Sequence, residues 1–459
     1  MQLRPYQIEA KRKVYQAFHE HRRVLLTLPT GAGKTVLFTD ICRDAYERKS
    51  RVLVLVHRKE LIEQASEKLF RYGLRHGIIQ PEYPYTPMRD IQVASVQTLV
   101  RRKMPPDIGL VICDEAHHSR ANSYRTIYDN YPEAKILGVT ATPVRTSGAG
   151  FEDLFDDLVV GTSVRELIEL GYLVKPQIFA NPLRFDLSKV KKTAGDYNEK
   201  ALYEAMEEKF TYGDLLETWR QKAEGKRTVV FAINLAHSRQ IVKTYQEAGI
   251  PAEHLDGATG SAERAATLRR FREGETLVLS NVGIVTEGFD VPAIECVQLV
   301  RPTKSLGLYL QMVGRGLRPA DGKDRAVILD HSDCIFNHGF PESERDWTLK
   351  GIKKSKRKTK IAIRDKKTGK VYENVREAPE IRHLDDIELI EISEDSARLR
   401  FMRDALRDAK TRGFKPGAAW YKFLAKFGKP EPEDIKLFRQ MAGYKPMWEK
   451  YRMKEFNYE

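Results

Sequence analysis

Short apolar runs recur along the first third of the chain, at Val24 to Leu28, Val52 to Val56, Leu110 to Cys113 and Ile136 to Val139, with longer amphipathic stretches between them. A run that is apolar on both faces predicts a strand buried in a parallel sheet, and the amphipathic stretches predict the helices that cover it. The pattern predicts an α/β domain over 1–160. A second series, at Val229 to Ile233, Leu277 to Leu279, Val297 to Val300 and Val327 to Leu329, is separated by helix-like segments such as Ala262 to Arg272 and predicts another α/β domain over 226–345. Between the two, 161–225 carries helical signals at Ser163 to Leu170 and Glu199 to Lys222 without a strand series, and reads as a helical connector.

After His331 the alternation stops and charge takes over. Lys350 to Lys370 holds eleven Lys/Arg against one Asp, most of the excess in a 459-residue chain of formal net charge +14. The stretch 346–394 therefore reads as a basic linker. A basic surface is the footprint of polyanion binding, which makes Lys353, Lys354, Lys356 and Arg357 candidate phosphate contacts, although charge runs also occur as solvated linkers. From 395 to 459 the pattern is again helical, with Gly413 as a helix stop and Pro430 to Pro432 as a break. This predicts a small helical domain whose aromatics, Trp420, Tyr421 and Phe423 among them, serve either as stacking faces or as core. No apolar run approaches the roughly 18 residues of a spanning helix, so no membrane partner is expected. The start, MQLRPYQIEAKRK, has no apolar stretch for a secretory signal. The expectation is a cytoplasmic protein of a bacterial or phage-infected cell. Four scattered cysteines (Cys42, Cys113, Cys296, Cys334) lack any C-x-x-C pair, so neither a disulfide framework nor a zinc knuckle is suggested.

Three local patterns carry chemistry. Directly after the first apolar run stands Leu28-Pro29-Thr30-Gly31-Ala32-Gly33-Lys34-Thr35, followed by a helical segment. Glycines let backbone N–H groups approach phosphate oxygens, the helix N-terminus favours the anion, Lys34 reaches the terminal phosphates, and Thr35 can ligate Mg²⁺. The first glycine of the generic pattern is replaced by Leu28. Asp114-Glu115-Ala116-His117 follows the run LVIC, at a strand C-terminus where open parallel sheets bind ligands. One carboxylate can hold Mg²⁺ while its neighbour polarises water. In the second series, Gln311-Met312-Val313-Gly314-Arg315-Gly316-Leu317-Arg318 sets Arg315 and Arg318 on one helical face, suited to meeting a triphosphate across a cleft.

Taken in order, LRPYQ (3–7), PTGAGKT, LVHRKEL (55–61), VASVQTL (93–99), DEAH, VTATP (139–143), VVFAINLAHS (229–238), VTEGFDVP (285–292) and QMVGRGLR resemble the motif series of superfamily-two helicases over about residues 3–335. EGFDVP, RPTKSLGLYLQMVGRGLRP and the segment from Gly413 to Tyr421 resemble the RadD-type DNA-repair helicases and their phage relatives, although the cysteine cluster of that group is absent here. The resemblance implies two tandem RecA-like parallel-sheet domains followed by a small, mainly helical C-terminal domain. It implies ATP and Mg²⁺ as cofactors. Residue by residue, it implies an adenine-reading role for Gln7 supported by Arg4 and Tyr6, phosphate contacts from Thr30, Gly31, Ala32, Gly33 and Lys34, and Mg²⁺ at Thr35 and Asp114. Glu115 is then the general base, Gly288 and Asp290 approach the nucleotide from the second domain, and Gln311, Arg315 and Arg318 complete the γ-phosphate site. His117, Thr140 and Thr142 couple the nucleotide to the nucleic acid, whose backbone would meet Arg58, Gln97, Thr98, Asn234, His237 and Thr286.

The function so implied is an ATP-dependent helicase or translocase, acting 3′ to 5′ on single-stranded or forked DNA. The same motifs serve an ATP-driven remodelling or annealing translocase that does not unwind processively, and an RNA helicase, since backbone contacts need not exclude a 2′-OH.

Overall fold

The computed structural model describes residues 2–456 apart from 58, 117–120, 147, 181–186, 208–211, 285–290, 292–293, 353–358, 375–383, 394–397, 399–400, 403–404, 410–411, 413 and 431. Seven strands form the first sheet: β1 (Arg23–Thr27), β2 (Arg51–Val56), β3 (Gly77–Ile79), β4 (Ile91–Ser95), β5 (Ile108–Cys113), β6 (Lys135–Thr140) and β7 (Asp157–Val160). Their order is β3-β4-β2-β5-β6-β1-β7, and every pairing is parallel. The continuous apolar character of the inner strands follows from burial on both faces. In β2, Val52, Val54 and Val56 join the core on one side of the sheet while Leu53 and Leu55 join the core on the other.

The second sheet begins in the connector. β8 (Lys175–Ala180) pairs with the last strand of the second α/β domain, and a small hairpin follows, β9 (Lys192–Thr193) with β10 (Asp196–Tyr197). Then come β11 (Thr228–Phe231), β12 (Ala252–Leu255), β13 (Val278–Asn281), β14 (Cys296–Leu299) and β15 (Arg325–Asp330). The sheet runs β12-β13-β11-β14-β15-β8, again with parallel pairs. The expectation of a purely helical connector over 161–225 is corrected by β8 and the hairpin. β8 is an edge strand, half exposed and carrying Pro176, so it has no apolar run to announce it. The expected helical segments are present as Val164–Glu169, Glu199–Glu207 and Tyr212–Ala223.

Past the second sheet the chain returns to the first domain. A hairpin of β16 (Trp347–Thr348) and β17 (Gly351–Ile352) brings the Leu349 carbonyl to the backbone N–H groups of Phe151, at 2.6 Å, and Glu152, at 3.1 Å.

The chain divides into two compact units, 1–354 and 355–459. The second unit contains β18 (Thr359–Asp365), β19 (Val371–Tyr372) and β20 (Ile387–Ser393), an antiparallel sheet in the order β19-β18-β20. The reading of 346–394 as a linker is thereby corrected. Ile361, Ala362 and Ile363 are buried in the middle of the cationic run, where flanking lysines mask so short an apolar core. Part of that charge is matched across the sheet, with Arg364 2.9 Å from Glu388 and Lys367 2.7 Å from Asp386. The helices Gly417–Phe427, Pro432–Ala442 and Pro446–Glu455 complete the unit, as the helical pattern predicts. Among the described residues no helix is long and apolar enough to cross a membrane.

Candidate functional site

The order of the first sheet brings the two chemical motifs together. β1 leads into the phosphate loop and β5 into Asp114-Glu115, and β6 alone separates them. Two strand spacings amount to roughly 10 Å, a gap that long side chains close from both sides. Lys34, at the start of the helix Lys34–Glu47, reaches to 3.8 Å from the Glu115 carboxylate, and both side chains are largely buried. Glu115 sits at φ +48, a left-handed conformation uncommon for a residue with a side chain, and its N–H is held at 3.0 Å by the Asp114 carboxylate. The turn between strand and acid is thus locked by its own first carboxylate.

The phosphate loop is held from behind. Gly31 and Gly33 adopt left-handed conformations, at φ +87 and +74, and at Gly33 a Cβ would lie 2.6 Å from the Gln7 amide. Gln7 is buried, accepts the Arg4 N–H at 2.9 Å and donates to the carbonyls of Ala32 at 3.0 Å and Gly33 at 3.3 Å. The Tyr6 hydroxyl donates to the Ala32 carbonyl at 2.9 Å. As placed, Gln7 uses both amide hydrogens to brace the loop. Ala32 is buried rather than facing the cleft.

In front of the loop lies a cleft of about 820 Å³. Thr30, Gly31, Gly33, Lys34, Thr35, Asp114 and Glu115 line it from the first domain, and Arg315 and Arg318 from the second. Arg4 and Tyr172 close one end, the guanidinium 4.2 Å from the ring centroid and the Tyr6 and Tyr172 rings 5.2 Å apart. Tyr172 was not legible in the sequence, because it belongs to no motif and lies in the connector. Lys323 was missed as well. Its ammonium donates to the carbonyls of Ile294, Gly316 and Arg318, the last at 2.7 Å, and so ties down the end of the helix Leu306–Gly316 that presents the arginines. Burial brings the Lys323 ammonium down to about 8.

Gln311 is not in this cleft. It lines a second one, of about 770 Å³, with Thr146, Asn234, Arg301, Ser305 and Gly307. The helix Leu306–Gly316 is a shared wall: Gly307, Leu308 and Gln311 border one cleft, and Arg315, about 6 Å further along the axis, borders the other. At Gly307 a Cβ would stand 2.9 Å from the Thr142 hydroxyl. Thr140 and Thr142, both buried, are joined by the Thr140 hydroxyl, which donates to the Thr142 carbonyl at 3.0 Å and accepts its N–H at 3.2 Å. The end of β6 is therefore packed against the wall between the clefts.

Of the expected strand contacts, Gln97 is exposed on the short helix Val96–Leu99, accepts from the Ser95 hydroxyl at 2.8 Å and donates to the His57 carbonyl at 3.4 Å, while Thr98 is half-buried. Asn234 caps the helix Leu235–Glu247 by accepting the His237 N–H at 2.9 Å, and borders the second cleft. His237 does not reach a surface. It is 1% exposed, lies against the rings of Tyr203 and Tyr212, and burial lowers its imidazole to about 4, so it is a neutral core side chain. Arg58, His117, Thr286, Gly288, Asp290, Lys353, Lys354, Lys356 and Arg357 lie outside the described residues. Trp420 and Phe423 are fully buried core residues, which removes them as stacking faces, whereas Tyr421 is exposed.

Comparison with known proteins adds the following. Residues 1–145 match the family described as "Type III restriction enzyme, res subunit" and residues 210–320 the "Helicase conserved C-terminal domain". A "51.5 kDa protein" of a Lactococcus phage is 36% identical over 324 residues, covering 70% of this chain and 68% of that protein. "Putative ATP-dependent helicase IRC3" of Saccharomyces cerevisiae is 36% identical over 351 residues, covering 72% of this chain and 51% of that protein. This chain thus spans about half the length of the yeast relative. The fold is similar to that in "The fragment structure of a putative HsdR subunit of a type I restriction enzyme from Vibrio vulnificus YJ016", with a TM-score of 0.57 at 22% identity over 73% of this chain and 65% of that one.

Proposed function

This chain belongs to the superfamily-two helicases, and from that premise we propose that it is a motor coupling Mg²⁺-dependent ATP hydrolysis to movement along one strand of nucleic acid. The observation that carries the reading is the single cleft in which Lys34, Asp114 and Glu115 of the first domain face Arg315 and Arg318 of the second. A triphosphate gripped from both sides draws the domains together, and loss of the γ-phosphate releases the arginines.

Each residue has a task that its position supports. The loop N–H groups and Lys34 hold the phosphates. Thr35 and Asp114 offer hard oxygens in the same cleft, the donor set that suits Mg²⁺ when phosphate and water complete its shell, and the ion would neutralise phosphate charge there. Glu115 takes the proton of the attacking water, its carboxylate oriented by the Asp114-held turn. Arg315 and Arg318 meet the charge that develops on the transferred phosphoryl group. Arg4 and Tyr172 present flat faces to the base, next to Gln7. Gly288 and Asp290 are proposed at the ribose and phosphates from motif position alone. Thr142, packed against Gly307, passes domain closure to the second cleft, where Asn234 and Gln311 stand.

The finer reading is a DEAH-type, RadD-like motor that moves 3′ to 5′ on DNA, prefers single strands or forks and unwinds duplex, in the cytoplasm of a bacterial or phage-infected cell. Arg58, Gln97, Thr98, Thr286 and the Lys353 to Arg357 run are its proposed backbone contacts. Because phosphate contacts dominate, binding should be sequence-tolerant and strongly salt-dependent. The test is the ATPase rate with single-stranded, duplex and forked DNA and with RNA, alongside strand displacement from a fork. Stimulation by single-stranded or forked DNA with displacement is expected. ATPase indifferent to every nucleic acid refutes the motor, greater stimulation by RNA replaces the DNA substrate, and stimulation without displacement replaces unwinding by remodelling.

A further inference from the structure

The three C-terminal helices of the second unit bury one set of aromatics and leave another outside. Trp420 packs on Phe423, Phe438 and Trp448, with ring centroids 5.6, 4.9 and 5.2 Å away, and this stack is the core that joins Gly417–Phe427 to Pro446–Glu455. Tyr421 and Tyr451 stand beside that seam, 63% and 64% exposed. The guanidinium of Arg452 lies between them, 5.9 Å from the Tyr421 ring and 5.5 Å from that of Tyr451, backed by Trp448 at 5.4 Å. Two rings from helices, thirty residues apart in the chain, thus share one cation. Burying tyrosine rings would ordinarily be favourable, and here most of each ring's surface beyond the Arg452 contact is left to solvent.

The surroundings are cationic. Residues 414–456 carry ten Lys/Arg against five Asp/Glu. Three of the acids are already spoken for: Asp434 pairs with buried Arg398, Glu449 with Arg439 at 2.6 Å and Glu455 with Arg452 at 2.5 Å. Lys450 and Lys454 are exposed without an ion pair among the described residues, on the helical face that carries Met447 and Tyr451. Of thirteen large hydrophobic side chains exposed among the described residues, four, including Tyr421, Met447 and Tyr451, fall between 414 and 451. Met447 and Tyr451 lie one turn apart on one helix, and Tyr421 meets Tyr451 at Arg452, so three of the four are gathered locally, as at binding surfaces. Exposed aromatic surface flanked by the Lys450 and Lys454 ammonium groups complements a polyanion that presents free planar bases, which a single strand does and a duplex, with its bases stacked inside, does not.

We propose that the face built from Tyr421, Arg452 and Tyr451 binds single-stranded nucleic acid, stacking bases on the two tyrosines while Lys450 and Lys454 meet phosphates. It is a site separate from the motor's own strand contacts, and it rests on the reading that the chain engages a nucleic-acid strand.

The test measures full-length protein binding to fluorescein-labelled oligo(dT) by anisotropy, at one salt concentration and without nucleotide. Replacing both tyrosines, Tyr421→Ser with Tyr451→Ser, should weaken binding by about 25-fold or more, the low end for two lost base stacks. Tyr421→Phe with Tyr451→Phe, which keeps both rings, should bind like wild type. ATPase without nucleic acid should be the same in all three proteins, and so should the melting temperature. A folded serine pair with wild-type affinity overturns the proposal while leaving the motor intact, and a wild-type protein that binds no oligonucleotide overturns both. Should the serine pair fail to fold, photocrosslinking of wild type to 5-iodouracil oligonucleotide decides the matter: adducts are expected at Tyr421 or Tyr451, and adducts found elsewhere alone overturn the site.

Discussion

Gly314 lies in the wall between the clefts, where a Cβ would stand 2.7 Å from the Thr30 Cβ and 2.9 Å from its Cγ2. Carbon atoms rest about 3.5–4.0 Å apart, so Gly314→Ala forces the helix Leu306–Gly316 away from the phosphate loop by about 1 Å. No rotamer change relieves the contact, because the nearest atom is a Cβ and moves only with the backbone. Arg315 and Arg318 move with the helix, while Lys34, Thr35 and Asp114 stay in place. A misplacement of about 1 Å at a reacting centre can lower turnover about 10²-fold, so kcat should fall between about tenfold and a hundredfold with ATP affinity little changed. Stability should fall as well, because the about 1 kcal/mol by which alanine favours a helix interior over glycine is outweighed by the about 1–3 kcal/mol cost of overpacking at this buried contact. Steady-state ATPase at saturating single-stranded nucleic acid, together with a thermal melt, reads both quantities. Thr30→Gly removes the opposing Cβ and should restore part of the lost rate in the double variant. Wild-type kcat in Gly314→Ala would refute the claim that this spacing sets the arginines.

Glu115→Gln should keep ATP binding and hydrolyse it on the order of a hundredfold or more slowly, measured by nucleotide filter binding and single-turnover hydrolysis; unchanged hydrolysis removes Glu115 as the base. Arg318→Ala should lower turnover by about 10³-fold with much of the ATP affinity spared, by analogy with arginine fingers, and a variant with weakened affinity but intact turnover would place the arginine on ground-state phosphate instead. Lys323 titrates near 10.5 when free and near 8 when buried, so the unfolded chain holds its proton more tightly and burial of the charge costs stability below pH 8, a cost relieved between 8 and 10.5. Turnover should follow the opposite course and fall as pH rises through about 8, because a neutral amine has only two N–H groups for three carbonyls. Lys323→Arg, which stays charged, should lose that alkaline limb, and a pH–rate profile identical to wild type would count against the positioning role.

Contiguous patterns were legible in the sequence because short-range geometry sets them. An inner strand buried on both faces is mostly apolar, so β1, β2, β5, β6 and the inner strands of the second sheet announced themselves, whereas β4, also inner, was hidden by the buried Gln92 within its five residues. A strand followed by Thr30 to Thr35, or by Asp114-Glu115, carries its chemistry at the strand end whatever the rest of the chain does. Edge strands have one wet side and a mixed pattern, which hid β3, β7, β8 and β12, while cations on either side hid the three buried residues of β18.

What the tertiary structure alone decided is which of these pieces meet. Insertion of β6 between β1 and β5 sets the distance that Lys34 and Glu115 close, and no local spacing contains that number. Gln311 and Arg315 are four residues apart and read as one site, yet the helix carrying them spans two clefts and divides them. His237 matched a strand-contacting motif and is core, because two connector tyrosines close over it. Trp420 and Tyr421 are neighbours in sequence and opposite in fate, since adjacent helical positions point about 100° apart and only one of them faces the packed seam. Side-chain chemistry is a property of the residue, but its neighbours across the fold depend on sheet order and helix packing, which are settled by burying all the apolar faces at once.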